Sequence, residues 1–460
     1  MRYESLPVVI IGAGPVGLAA AAHALSRNLT PLVLEAGDRV GAGIRRWGHV
    51  RMFSPWKYNV DTVAAGVLAR HGWTIPDPDD YPTGHDLVAH YLEPLAGTPE
   101  LGPHIRVHAR VVSVSRRDHD LMKDAGRSDA PFVVRVHGPQ GEEDILAQAV
   151  IDASGTIETP GPLGATGLPA LGERAAAHRI FYGMPDVLGA HRDRYAGRRV
   201  LVVGSGHSAM NALLDLATLA ESDTDMQIVW AVRRPALGQL LGGARNDQLE
   251  ERGRLGHRVR GLLDQGRLQL LTGFRLDRLT TTADGIVAHS GVRSAPTVDE
   301  VIAATGFRPD WSVLSEVRLD LDPAVQAPRA LAPLIDPNVH SCGTVRPHGA
   351  DELKQPDGNL FVIGMKSYGR APTFLMLTGY EQARSVVAAI AGDWEAARRV
   401  ELVLPETGVC STDGAGETGG GCCGTATAPP VAATLRSLVE SSRGTATAPA
   451  SRPAPGACCG

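Results

Sequence analysis

The stretch from Pro7 to Glu35 limits what this chain can fold into more than any other. Val8 to Ile11 reads as a strand, Gly12-Ala13-Gly14-Pro15-Val16-Gly17 as a glycine turn, Leu18 to Leu25 as a helix, and Leu32 to Leu34 as a second strand ending at Glu35. Each residue type in the turn answers a physical demand. Gly12 suits a tight bend, Gly14 lets a pyrophosphate approach the backbone, and Gly17 lets helix and strand pack closely. Pro15 and Val16 open the helix, whose N-terminus offers free N–H groups and a positive dipole end to phosphate. Glu35 stands at roughly the twenty-residue distance where a carboxylate accepts from a ribose hydroxyl. Glycines alone would fit a plain βαβ turn. With strand, helix and acid all in register, the stretch reads as a dinucleotide site.

The pattern then returns. Val200 to Val203 reads as a strand, Gly204-Ser205-Gly206-His207-Ser208-Ala209 as a turn of GxGxxA form, Met210 to Ala220 as its helix and Gln227 to Val232 as the next strand. This second strand ends in Arg233-Arg234 instead of an acid. An arginine there can pair with a 2′-phosphate, where Glu35 would repel one, or it can simply end a solvated strand. The first site therefore suits an adenosine with free ribose hydroxyls, and the second suits NADPH over NADH. Two such turns about 190 residues apart imply two cofactors, one passing electrons to the other. Two strands ending in small residues mirror each other as well: Ala149 to Gly155, with Ser154-Gly155, and Val298 to Pro309, with Thr305-Gly306. The Gly- and Pro-rich connector Thr159 to Pro169 marks a domain boundary.

The remainder of the chain bounds the reading. At 460 residues, 43% hydrophobic and 21% charged, it is long enough for two or three domains and ordinary for a globular protein. A net charge of −5 argues against nucleic acid or an anionic membrane as the main partner. No basic and apolar leader opens the chain, and no apolar run approaches the ~20 residues of a membrane span, so a cytoplasmic location is expected. Trp47 to Trp56 gathers large rings that either wall a flat cofactor or belong to ordinary core. A helix is expected over Asp86 to Leu95, and strands over Ile105 to Val114 and Phe132 to Val136. Arg116 to Asp129 between those strands reads as a solvated hairpin loop, and Ala236 to Leu279 as helix and loop. Near the end come a strand, Leu360 to Ile363, a loop, Gly364 to Pro372, and a helix, Thr373 to Ala389.

From about Pro405, Gly, Ala, Thr, Pro and Ser dominate, which predicts a flexible tail with one short helix over Val431 to Ser441. Cys342 is the only cysteine before residue 400, which excludes a disulfide framework through the fold. Cys342, between His340 and His348, reads as a buried thiol or a substrate thiol. The vicinal pairs Cys422-Cys423 and Cys458-Cys459 suit soft ions such as arsenite, Hg(II) or Cu(I), or are incidental to a low-complexity end. No metal site is expected in the core.

Both glycine turns, the two small-residue strands and the last strand-loop-helix together resemble the two-dinucleotide-binding-domain flavoproteins of the flavin-containing monooxygenase type. The resemblance implies an α/β fold of two Rossmann-like dinucleotide-binding domains, the NADPH domain inserted in the FAD domain, with a disordered C-terminal tail. FAD would occupy residues 1–165 and 301–400 and NADPH residues 166–300, with the tail at 401–460. The implied cofactor contacts are Gly12, Gly14, Pro15, Val16, Gly17, Glu35, Val112, Ser154, Gly155, Thr305, Gly306, Gly364, Thr378 and Gly379, with Gly204, Ser205, Gly206, His207, Ser208, Arg233 and Arg234 at the second site. Trp47, Phe53, Ser54, Trp56, Asn59 and Thr378 are the implied flavin-proximal residues. NADPH would reduce FAD, and the reduced flavin would carry dioxygen, as a C4a-hydroperoxide, to a small soft nucleophile.

The chain departs from that pattern in places. Gly364 is followed by Met365 where many relatives have an aspartate. Phe181-Tyr182-Gly183 is similar to the opening of the monooxygenase signature, but His191 lies further along than its histidine. Phe53-Ser54 is followed by Pro55 and not by asparagine, and Asn59 is out of register. No CxxC or Cx4C precedes residue 400, so the dithiol reductases of the same superfamily are matched without their reactive group. Trp56 to Asp61, Lys366 to Phe374 and the Cys-Cys-Gly tail resemble flavin monooxygenases encoded in bacterial arsenic-resistance operons, which implies a trivalent arsenical as substrate. Two alternatives stay open: an NADPH-dependent flavin reductase of a thiol-bound metal or electron carrier, and a metalloid-binding protein with a vestigial flavin fold. A homodimer is an assembly open to either enzyme.

Overall fold

The computed structural model describes residues 5–223, 225–236, 250–339, 345–371 and 374–402, with the backbone alone at 250–253. The tail cysteines, Cys342, His340 and the expected helix at 431–441 lie outside the described residues.

Two five-stranded parallel sheets carry the fold. The first has the spatial order Leu360–Val362, Ala149–Asp152, Val8–Ile11, Pro31–Leu34, Ile105–Arg106. The second runs Gln269–Leu271, Gln227–Ala231, Arg199–Val203, Glu300–Ala303, Ile180–Tyr182. Its strand at Glu300–Ala303 extends the second unit past residue 300. In each sheet the strand before a glycine turn lies between the strand that follows its helix and a later crossover strand. That order places a topological switch at the carboxyl end of the central strand, where open α/β sheets receive ligands.

The sequence explains the placement. Val8-Val9-Ile10-Ile11 is buried on both faces, as a central parallel strand requires. The following helix, Pro15–Ser26, starts on proline, whose missing N–H and fixed φ suit the first helical position. Its small residues Ala19 to Ala22 let the sheet and the late helix Met376–Ile390 press against it. Asn28, at φ 58°, turns the chain out into the next strand.

Each parallel sheet is interrupted by an antiparallel three-stranded sheet at the same point of its order. Arg110–Arg116, Phe132–Gly138 and Gly141–Ala147 precede Ala149–Asp152. Arg278–Thr282, Gly285–Ser290 and Arg293–Ser294 precede Glu300–Ala303. The expectation of helix and loop over Ala236 to Leu279 thus holds only for the helix Glu250–Asp264; strands occupy Gln269–Leu271 and begin again at Arg278. Thr280 to Thr282 are three exposed polar β-branched residues, so no apolar alternation betrayed the strand. The expected strand Ile105 to Val114 breaks into two pieces in different sheets, divided by His108 at φ 52°. The reading of Arg116 to Asp129 as a solvated loop is also corrected. Arg116 and Arg127 are buried at 5% and 3% exposure. Arg127 forms a bidentate pair with Asp357 at 2.7 and 2.8 Å, and Arg116 donates to the carbonyls of Ala130 and Gly358 while lying over the Phe132 ring. Among the described residues no helix is long and apolar enough to cross a membrane.

Candidate functional site

At the first glycine turn Gly12 adopts φ 100°, a conformation side chains resist, and lies directly on the crossover strand. A Cβ there would stand 3.0 Å from the Ala153 carbonyl oxygen and 3.1 Å from Ser154 Cα. A Cβ on Gly17 would overlap the Gly12 carbonyl oxygen. At Gly14 and Gly155, by contrast, a Cβ would meet nothing within 4 Å. The first pair of glycines is needed for packing, and the second pair opens onto free space. Gly14 is also the N-cap of its helix and supplies no side-chain partner to the first N–H groups. Some other helices fill that need with a side chain: Asp61 accepts from Ala64 N, and Thr83 with Asp86 forms a capping box. An uncapped helix start facing a bare backbone is the cradle that a pyrophosphate fills.

Glu35 does something that spacing alone did not reveal. Its two carboxylate oxygens accept from Ala13 N at 2.8 Å and from Gly37 N at 2.7 Å. The acid therefore tethers the glycine turn itself, and its remaining lone pairs are the ones left for a ribose hydroxyl.

Behind the turn, Val16 wedges between Gly364 and Gly379; a Cβ on Gly379 would overlap Val16 Cγ2. Thr378 is buried beside Tyr368. Gly364, at φ 70°, precedes the Met365 that stands where many relatives have an aspartate, and its backbone N–H is held by Gln382. Gln382 Oε1 accepts from Gly364 N at 2.7 Å, and its amide donates to Ser367 Oγ and to His348 Nε2 at 2.9 Å. His348 Nδ1–H then donates to the Arg346 carbonyl. Burial keeps His348 below the usual histidine range, in keeping with its role as a neutral acceptor.

The second turn repeats the geometry. Gly204, at φ 134°, presses on the Ala304 carbonyl as Gly12 does on Ala153, while Gly206 opens onto free space and caps its helix without a side-chain bond. The Trp230 indole N–H fixes the Gly204 carbonyl at 2.7 Å. Ser205 and Ser208 flank the open position, both half-buried. Arg233 is exposed at the strand end, donating to the Ala165 carbonyl at 3.3 Å, and Arg234 is half-buried beside it. The two crossovers run against each other: Gly161 N donates to Gly306 O at 2.7 Å and Thr305 Oγ1 to Gly161 O at 2.5 Å.

One ring contact ties the loop after the first unit's second strand to the second turn. The Phe53 ring lies 5.3 Å from the ring of His207, the first residue of the second helix. Half-buried Trp47 is in the same loop. The other implied flavin neighbours are placed differently. Trp56 is 3% exposed and packed in the first core. Ser54 and Asn59 bond each other: Ser54 Oγ donates to Asn59 Oδ1 at 2.8 Å, and Asn59 Nδ2 donates to the Ser54 and Pro55 carbonyls. Val112 sits at a bulge on the antiparallel sheet. His191 does find Phe181, edge to face at 4.9 Å.

Asp152 and Lys366 escaped the reading of site residues. They form a fully buried pair at the ends of adjacent strands, and only the fold brings them together. The visible signal was an acid closing an apolar strand and a lone cation just past another. Among the described residues no cluster of three His, Cys, Asp or Glu could hold a metal ion.

Comparison with known proteins agrees with this architecture. The chain is 30% identical over 212 residues to an indole-3-pyruvate monooxygenase of Oryza sativa subsp. japonica, covering 45% of this chain and 44% of that protein. It is 28% identical over 218 residues to flavin-containing monooxygenase 1 of Homo sapiens, covering 46% of this chain and 38% of that one. The alignments thus span under half the length of these curated relatives. Among solved structures, bacillithiol disulfide reductase from Bacillus cereus superposes with a TM-score of 0.61 at 20% identity, covering 84% of this chain and 99% of its own, a likeness of fold. The family model for pyridine nucleotide-disulphide oxidoreductases matches residues 9–330, most of the chain, and this protein belongs to that family.

Proposed function

We propose that this protein is an FAD-dependent, NADPH-using monooxygenase that oxygenates a small soft nucleophile, with trivalent arsenicals and organic sulfides as the class to examine first. The observation that carries the reading is a pair of open, uncapped phosphate cradles, the second with Phe53 against the first residue of its helix, in a chain whose first 400 residues hold no cysteine pair. Two dinucleotide cofactors on one chain, one a hydride donor and the other an acceptor, support hydride transfer. With a single cysteine in its first 400 residues, that part of the chain offers the electrons no disulfide of its own.

FAD fits the first cradle. Gly14 and Gly155 leave room for its pyrophosphate, and Glu35 leaves lone pairs for the ribose. NADPH fits the second: Gly206 admits the pyrophosphate, His207 and Ser208 offer helix N–H groups, and Arg233 and Arg234 carry the charge that a 2′-phosphate needs. When bound, FAD accepts two electrons from NADPH and, once reduced, can react with dioxygen. The chain's own part is to bind, orient and screen. In this reading the FAD unit comprises residues 1–165 and the chain from the end of the strand Glu300–Ala303 to about residue 400, and the NADPH unit is the insertion between them.

Full-length protein is to be purified, its bound flavin quantified, and NADPH-dependent oxygen uptake followed with sulfides, amines and trivalent arsenicals. The expected result is a yellow protein whose substrate-stimulated uptake yields a product one oxygen heavier. Turnover that proceeds only without oxygen, onto a disulfide or a thiol-bound metal, would favour the reductase alternative. Absence of flavin binding would end the proposal.

A further inference from the structure

Lys366 is 1% exposed and Asp152 fully buried, and their Nζ and Oδ2 are 2.5 Å apart. Taking two charges out of water is expensive, and joining two strand ends does not require it, since apolar residues of similar volume do so at least as well. The other carboxylate oxygen of Asp152 is engaged too. Oδ1 accepts from Ser154 Oγ at 2.6 Å and from Ser154 N at 3.0 Å. Lys366 Nζ donates in turn to Ser154 Oγ at 3.2 Å. Lysine, aspartate and serine thus close a ring of hydrogen bonds around one residue, Ser154. Its Cα is one of the two atoms nearest to where a Gly12 side chain would stand, and its successor, Gly155, at φ 72°, opens onto free space as Gly14 does.

The lysine reaches further. Its Nζ lies 5.3 Å from the centre of the Trp311 ring, on the segment that follows Thr305 and Gly306. It arises from the short helical turn Gly364–Tyr368 at the end of the outermost strand. One cation therefore bonds the first crossover and lies over an aromatic face on the segment after the second.

We propose that Lys366 is a positioning residue for the cofactor of the first site: through Asp152 it holds the Ser154–Gly155 turn in the place where that turn forms one wall of the phosphate cradle. The proposal rests on the FAD reading of that cradle. Without the lysine, Asp152 is a buried charge with no counter-ion, and the carboxylate that accepts from the Ser154 N–H and hydroxyl loses its own anchor.

The test titrates full-length wild-type, Lys366→Met, Lys366→Met/Asp152→Leu and Ser154→Ala proteins with FAD by flavin fluorescence, and records each thermal midpoint without added FAD. Lys366→Met should lower the midpoint and weaken FAD at least tenfold. The double variant removes both charges, so its midpoint should return to within a few degrees of wild type while FAD stays at least tenfold weaker. Ser154→Ala, which leaves the buried pair intact, should weaken FAD severalfold at an unchanged midpoint. If the double variant recovers FAD affinity with its stability, or if Ser154→Ala binds as wild type does, the pair is a structural fastener and the proposal is overturned. A wild-type protein that takes up no FAD overturns the cofactor reading, and this assignment with it; wild-type uptake with unchanged variants overturns the assignment alone.

Discussion

At the first glycine turn the third small position is Gly17, and at the second it is Ala209. The first strand after the turn ends in Glu35, which ties back to Ala13 and Gly37; the second ends in Arg233 and Arg234, of which Arg233 is exposed. Both turns share the strand order, the uncapped helix and the left-handed first glycine. The difference teaches how one plan is set to two tasks. The first turn is closed down on its own carboxylate, which suits a cofactor held throughout the cycle. The second leaves its cations at an open edge, which suits one that binds and leaves.

The largest break in this comparison is steric. Gly17→Ala puts a methyl into the Gly12 carbonyl oxygen, so FAD retention should fall at least a hundredfold or the protein should fail to fold; flavin content of the soluble fraction reports it. Gly204→Ala, which overlaps the Ala304 carbonyl at a positive φ, should abolish reduction by NADPH while FAD is still retained. A Gly204→Ala protein that loses FAD first would mean that the two turns do not serve separate ligands.

A smaller effect sharpens the charge contrast. Replacing Arg233 and Arg234 together by alanine should raise KM for NADPH by about tenfold or more, with KM for NADH and kcat little changed, in steady-state assays with both nucleotides. Glu35→Gln should act on the other side, weakening FAD by about tenfold, since its amide NH2 faces one of Ala13 N and Gly37 N as a second donor and that bond is lost, with the NADPH preference unchanged.

Much of this contrast was legible in the chain. The glycine turns, their strands and the charge reversal at the strand ends are local features, and local spacing reports them. Other features depend on contacts far apart in sequence. Arg116 and Arg127 look like surface charges until Asp357, more than 200 residues on, is folded beneath them. Asn59 reads as a ligand candidate until its amide is found bonded to Ser54 and Pro55. Thr280 to Thr282 carry no apolar alternation, so their strand appears only with its partner at Gly285–Ser290. Gln382, reaching Gly364 from a helix, has no sequence mark at all.

The smallest expected effect lies in the second helix. Burial pushes Asp215 up to about 6 from 3.8, with Asp186 adding to the rise and Arg258 opposing it. The folded form thus holds a proton that the unfolded chain releases between those values. Its destabilising contribution is complete above pH 6 and vanishes below 3.8. Asp215→Asn should therefore raise the thermal midpoint at pH 7.5, by on the order of 1 kcal/mol of stability, and much less at pH 4.5. His348 in the first unit works the other way. Its stability contribution is present above its ordinary value of 6.5 and is lost as pH falls below it. His348→Gln should flatten the acid side of the same profile.

The central claim is that NADPH bound at the second cradle reduces FAD bound at the first. Anaerobic mixing of the FAD-loaded full-length protein with NADPH, followed at the flavin absorbance, tests it most directly. The account predicts bleaching within single turnovers, at a rate that saturates with NADPH and needs far higher concentrations of NADH. A flavin that stays oxidised under saturating NADPH would contradict it.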